Sequence, residues 1–379
     1  LLFIFIQMKL IDNNYTISGI KLLDIATKYG TPVYVYNAEK IKEQYERLCN
    51  AFGEVNMKVR YACKALSNQN ILRLIKGLGS GLDTVSIEEV RLGLKAGYDP
   101  KEIIFTPNGV SIDEINEAVK LGVVINIDNI SILEQFGHIH GGKIPICIRI
   151  NPHIMAGGNY QISTGHIDSK FGISVHQLRH VERVIKTTRI KVNGLHMHTG
   201  SEILNIDVFL RGVDILLEAA KYFKNLEFID MGSGFKVAVI PDGDQTDIEL
   251  LGKELSKKFN DFCKEQNKEL ELWFEPGKFL VSEAGILLAK VNVVKQTTAT
   301  VFAGIDSGFN HLIRPMFYNA YHHIVNISNP PVGGVKRIYT VSGYICETDN
   351  FGWDRKISEI KEGDILAILD TGAYGYVMA

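Results

Sequence analysis

Cysteine is scarce in this sequence, and so are tryptophan, long apolar runs and blocks of like charge. Its five cysteines, Cys49, Cys63, Cys147, Cys263 and Cys346, are odd in number and widely spaced. None pairs at C-x-x-C spacing, which argues against a zinc site or a disulfide framework and favours a reducing cytoplasm. The apolar opening Leu1-Leu2-Phe3-Ile4-Phe5-Ile6 falls far short of the about 20 residues that span a bilayer. It also lacks the basic segment and cleavage site of a signal peptide, so Met8 is the expected natural start and residues 1–7 an artefact of translation. A formal net charge of −2, with lysines and acids interspersed, recruits neither nucleic acid nor an anionic membrane. A small soluble ligand is the expected partner.

What is present is enough for two domains: 379 residues, 46% hydrophobic and 22% charged. From about residue 57 the chain alternates β-rich runs with helical segments. Strands are expected at Lys58–Ala62, Leu82–Val85, Ile103–Phe105, Val123–Ile127, Ile146–Ile150, Val192–Met197, Leu226–Met231 and Glu271–Phe274. Most are near-continuous apolar runs, as in parallel strands covered on both faces. Ser86-Ile87-Glu88-Glu89 and Ser111-Ile112-Asp113-Glu114 read as capping boxes, with Gly97 and Gly122 as helix stops.

Eight strands with helical crossovers suit a (β/α)8 barrel of the α/β class, with a doubly wound open sheet as the alternative. Lys64, Asn108, Asn151, His198, Gly232-Ser233-Gly234 and Glu275 fall just past strand C-termini. Barrel enzymes build their sites on that face, which favours the barrel. After Phe279 strand-like runs with little helix between them, Ala289–Val294, Val301–Ile305, Arg337–Val341 and Ile365–Leu369, indicate a C-terminal all-β domain. The expected division is a barrel over 36–278 and a β-domain over 279–379. Residues 9–35 would add a strand, with Val33–Tyr36 the candidate.

Several segments carry chemistry. Lys64, in Tyr61-Ala62-Cys63-Lys64-Ala65, would become a nucleophilic amine if buried among apolar neighbours; otherwise a strand-end lysine simply reaches water. Gly232-Ser233-Gly234 can let backbone N–H groups converge on a phosphate, or form a plain turn. In Glu275-Pro276-Gly277-Lys278 the carboxylate could keep a cofactor's pyridine nitrogen protonated, or be solvated at a turn. His196 and His198 alternate on one strand with no third ligand evident, so no metal is expected, and His198 could stack on a cofactor ring. Arg314 and Tyr318 in the segment 314–322, together with Cys346-Glu347 and Gly372-Ala373-Tyr374-Gly375, are polar islands in the β-domain.

Taken in order, YACKA (61–65), SKFGI (169–173), HMHTGS (196–201), GSGF (232–235), EPGK (275–278), RPMFYNAYH (314–322), CET (346–348) and GAYGYVMA (372–379) resemble the diaminopimelate decarboxylase family. These are pyridoxal 5′-phosphate (PLP) enzymes with an alanine-racemase-like barrel and a C-terminal β-domain, and the likeness runs from about residue 20 to the end. The resemblance implies that meso-2,6-diaminopimelate is decarboxylated to L-lysine by way of a Schiff base between PLP and Lys64. It places His198 on the ring, Glu275 at the pyridine nitrogen, and Ser201, Gly232, Ser233, Gly234 and the turn Glu275-Pro276-Gly277-Lys278 around the phosphate. Arg314 and Tyr318 would take the distal carboxylate, Glu347 the distal amine, and Lys278 a carboxylate or phosphate. Tyr374 would touch cofactor and substrate, and Cys346 would return a proton to the α-carbon. A thiol suits that step because its ordinary pKa of about 8.5 lies near working pH. The resemblance also implies a homodimer with shared sites.

Position 278 holds lysine where the family usually has arginine, and Val237-Ala238-Val239 lacks the tyrosine that commonly follows the glycine triplet. Relatives continue past the position of Ala379 for another strand, so a fragment lacking its last segment is expected. Competing readings are a PLP decarboxylase of carboxynorspermidine, ornithine or arginine, a racemase, or a non-catalytic PLP-binding protein. Arg314 with Glu347 argues against the simple diamino acids, and Lys64 with Cys346 against loss of catalysis.

Overall fold

The computed structural model describes residues 8–154, 165, 168–240, 243–331 and 334–379. The expected artefact, residues 1–7, lies outside them. Two compact units emerge. One comprises Leu1–Glu43, Val237–Gly243 and Leu280–Ala379, the other Gln44–Lys236 and Asp244–Phe279.

The second unit is a closed barrel of eight parallel strands. They are β1 (Met57–Ala62), β2 (Gly81–Thr84), β3 (Ile103–Phe105), β4 (Val124–Ile127), β5 (Pro145–Asn151), β6 (Lys191–His196), β7 (Phe228–Asp230) and β8 (Glu271–Phe274). Each pairs with the next, and β8 closes on β1 with Leu272 opposite Met57, which removes the sheet edges and decides between barrel and open sheet. Helices such as Ile87–Ala96 and Ile112–Leu121 run between the strands. Ser86 and Ser111 cap these two by accepting from the Glu89 and Glu114 N–H groups, and left-handed Gly97 and Gly122 end them. The first box is not reciprocal: the Glu89 carboxylate accepts from Val85 N instead of Ser86 N.

Residues two apart along a strand share a face, and here that period builds the barrel interior in layers. The lower layer is largely apolar. Ile104, Cys147, Phe228 and Trp273 form one buried cluster with Val124 packed on it. The Phe228 and Trp273 rings stack with centroids 3.6 Å apart. One step of two residues toward the strand C-termini replaces these side chains with Thr106, Asn126, Arg149, Asp230 and Glu275. The same step takes Gly81 to Asp83 and Gly194 to His196. A dry floor thus lies beneath a polar layer.

The first unit holds a mixed seven-stranded sheet. Its central strand Gly285–Gln296 pairs antiparallel with Val301–Ile305, Ile365–Ile368 and Val33–Tyr36. Lys336–Ser342 lies parallel to Val301–Ile305 and antiparallel to Asn350–Ser358. The N-terminal Val33–Tyr36 joins this sheet beside its central strand. One face covers a core that includes Leu287, Ala303, Tyr339, Phe351 and Ile368, and the other packs on Leu22 and Ala26 of the helix Leu22–Tyr29. Among the described residues no helix is long and apolar enough to cross a membrane.

Candidate active site

The site is built on strand ends of the barrel. β1 stops at Ala62, and a single 3-10 turn, Cys63–Ala65, presents Lys64. Its Nζ lies 2.7 Å from Asp83 Oδ2, and 38% of the side chain is exposed while Asp83 is fully buried. The apolar burial expected for Lys64 is therefore not its environment. The next strand supplies a carboxylate instead, because parallel pairing sets Ala62 beside Asp83. Burial, then the neighbouring Glu275, pushes the Asp83 carboxyl up, against the pull of Lys64.

Glu275 follows β8 and is buried, its N–H donating to Gly232 O at 2.7 Å. Its Oε2 lies 3.2 Å from His196 Nε2, at ion-pair distance although the ring N–H is not aligned for a hydrogen bond. Its Oε1 is buried with no hydrogen-bond partner among the described residues. Burial alone would raise this carboxyl; His196, then Lys64, outweigh it and hold Glu275 below the ordinary carboxylate range. Asp230 goes the other way, its carboxyl raised by burial and by Glu275. Asp230 Oδ1 accepts from Gly232 N at 2.8 Å and so fixes the start of the glycine turn.

His198 is placed above this layer. Its Nδ1 accepts from Ser233 N at 3.3 Å, and burial, then Arg149 and Lys64, bring its pKa down to about 3, so the ring is neutral near pH 7. Gly232 and Gly234 have φ of +62° and +108°. A Cβ on Gly232 would sit 2.5 Å from Met197 O, and one on Gly234 would strike the Gly200 carbonyl. Ser201, half-buried, begins the stretch that leads to Ile203, whose N–H donates to Gly234 O. Pro276 O accepts from Ala62 N, tying the end of the last strand to the first, and Gly277 faces Ala62 and Ala65. Lys278 is ion-paired with Glu202. The segment 169–173 also finds its place: Phe171 lies under the Arg149 guanidinium at 4.8 Å, and Lys170 O accepts from Asn108 Nδ2.

These buried groups fit PLP on three counts. There is a charged carboxylate with an oxygen to spare, an amine within reach of the same cluster, and a glycine turn where only backbone can line the space. The sequence offered His196 and His198 as a rejected metal pair. The structure instead groups His196 with Asp230 and Glu275, their ligand atoms within 4.8 Å of one another.

The remaining candidates belong to the other unit. Arg314 opens the short helix Arg314–Tyr318, its guanidinium 5.6 Å from the Tyr318 ring centroid. Cys346 and Glu347 are exposed, and Tyr374 is half-buried with φ +55°. The Cys346 loop is shaped by Asp349, buried, whose O and Oδ2 accept from Gly343 N and Ile345 N. Sequence reasoning missed Asp83, Asn126, Arg149, Asp230 and Asp349, and weighed His196 only as a metal ligand. For the barrel residues the available signal was a polar side chain inside an otherwise apolar strand.

Residues 38–282 match the family described as pyridoxal-dependent decarboxylase, pyridoxal binding domain. The diaminopimelate decarboxylase of Methanothermobacter thermautotrophicus is 37% identical over 372 residues, covering 96% of this chain and 86% of that one. The crystal structure of diaminopimelate decarboxylase from M. jannaschii superposes with a TM-score of 0.89 at 32% identity, covering 99% of this chain and 90% of that one. A second structure of the M. jannaschii enzyme, in complex with L-lysine, gives a TM-score of 0.88 at 32% identity over 98% and 89% of the two chains.

Proposed function

We infer the reaction from one premise: the chain belongs to the diaminopimelate decarboxylase family of pyridoxal-dependent enzymes. It is a PLP-dependent decarboxylase, and the reading best supported is conversion of meso-2,6-diaminopimelate to L-lysine and carbon dioxide. The observation that carries it is Glu275, buried and charged, with one oxygen against His196 and the other without a partner among the described residues. When bound, PLP supplies a ring that accepts the electron pair left on the α-carbon as carbon dioxide departs.

Each residue has a part consistent with its setting. Lys64 Nζ would hold the cofactor's aldehyde carbon covalently, with Asp83 receiving the proton load that the amine carries. Glu275 Oε1 would accept a hydrogen bond from the pyridine nitrogen, and neutral His198 would lie against the ring without adding charge. Ser201, the turn Gly232-Ser233-Gly234 and the turn Glu275-Pro276-Gly277-Lys278 would surround the phosphate. Lys278 carries a charge already shared with Glu202, so it would act as a point charge and not as a two-pronged clamp.

Arg314 and Tyr318 would bind the distal carboxylate, Glu347 the distal amine, and Tyr374 both substrate and cofactor. Cys346 would deliver a proton from Sγ to the α-carbon. In this division of labour residues 36–278 hold the cofactor and 279–379 supply substrate contacts, in a cytoplasmic homodimer whose subunits share sites. The exposure of Cys346 and Glu347 supports a surface completed by a second copy.

The test is incubation with PLP and meso-2,6-diaminopimelate, with L-lysine measured by chromatography and carbon dioxide release compared across diaminopimelate, carboxynorspermidine, ornithine and arginine. Turnover of diaminopimelate above the others is the expected result. An inert diaminopimelate beside an active competitor would overturn the substrate.

A further inference from the structure

We propose that His196 is a positioning residue that holds Glu275 for the cofactor, with its own tautomer set by Asn126. This rests on the reading above and extends it to a residue outside the cofactor's own contacts. His196 is 1% exposed on β6, and Asn126 is 1% exposed on β4. Asn126 Nδ2 lies 2.9 Å from His196 Nδ1 and 3.3 Å from Thr106 Oγ1. An amide N–H donates, so Nδ1 accepts, and Nε2 is the ring nitrogen left to carry a proton. Nε2 is the atom 3.2 Å from Glu275 Oε2. Nε2 has no other hydrogen-bond partner among the described residues, so its N–H is left to the carboxylate.

The consequence concerns which oxygen of Glu275 is used. With Oε2 taken by the imidazole, Oε1 is the one left for a pyridine nitrogen. The other ionisable groups facing this carboxylate are Asp83, Asp230, Lys64, His198 and Arg149. Two of these are acids that oppose its charge. Without His196 the carboxylate keeps those repulsions and loses its nearest donor, so it turns or takes up a proton. Either change weakens its grip on a protonated ring.

Three proteins decide the matter: wild type, His196→Leu and His196→Gln, whose side-chain amide can place an N–H near the Nε2 position. PLP affinity and the pH titration of the bound cofactor's visible absorbance are measured in each. His196→Leu should weaken PLP about tenfold, the usual cost of losing a positioning partner, and move the midpoint of the titration. His196→Gln should restore both to within about threefold of wild type. A folded His196→Leu protein with unchanged affinity and unchanged titration overturns the proposal. Nitrogen-15 NMR of the wild-type apoprotein gives an answer that needs no variant: a proton on Nε2 is expected, and a ring protonated on Nδ1 and bare at Nε2 overturns it. The underlying cofactor reading fails separately, if wild type shows no visible band with PLP or if Lys64→Ala keeps it.

Discussion

The barrel unit sets its candidate residues at strand ends beside the turn Gly232-Ser233-Gly234, whereas the β-unit carries Cys346 and Glu347 on exposed coil. In the first setting every charge must be met by another group, because an isolated buried charge is expensive. Lys64 therefore answers Asp83, Glu275 answers His196, and the backbone of Gly232 answers Asp230. The exposed residues obey no such constraint, and hydrogen bonds to Asp349 shape their loop, with Tyr344 N donating to Ser307 O. Electron withdrawal needs a fixed, dry electrostatic frame. Substrate entry and proton delivery need groups that can be reached.

The largest expected effect tests whether the buried frame is indispensable. Lys64→Ala should abolish the visible absorbance of covalently held PLP and lower kcat/KM by on the order of 10³-fold or more. A variant that keeps the band would move the cofactor elsewhere. Next comes the exposed side of the comparison. Cys346→Ala should slow turnover about a hundredfold, within the range for a lost general acid, and leave the absorbance of the bound cofactor as it was. Full activity in that protein would remove the thiol from the reaction, and a lost band would make it part of the frame.

The smallest effect is on stability. Burial raises the folded-state pKa of Asp230 above its unfolded value, so its contribution to stability is present at low pH and is lost as pH rises through the folded pKa. Asp230→Asn keeps an oxygen for the Gly232 N–H and removes the charge. The apoprotein variant should melt a few degrees above wild type at pH 8, with the difference shrinking toward pH 4. A variant that melts lower at pH 8 would show that ionised Asp230 is held favourably, and that the frame is better balanced than its burial implies.

Much of the architecture could be read from the chain. Most of the eight barrel strands are near-continuous apolar runs, and glycine or serine punctuates the helices between them. Lys64, His198 and Glu275 were legible because they follow such runs directly. The polar layer below them was not. Asp83, Asn126, Arg149, His196 and Asp230 each stand within an apolar run, where a reading by hydrophobicity averages them away. Which face of a strand they occupy becomes meaningful only once the facing strands are known. The motif-level departure at position 278 was visible, but its partner Glu202, 76 residues away in sequence, was not.

The sequence alone determined the alternation of strand and helix, the two-part organisation of its signals and the identity of the chemical groups, because these follow from local periodicity and residue type. The tertiary structure decided which groups share an environment. Closure of the last strand on the first, Leu272 opposite Met57, carries Glu275 to the same layer as Asp83 and His196. No local rule could supply that, since the energy of a buried charge depends on neighbours that the chain reaches only by folding.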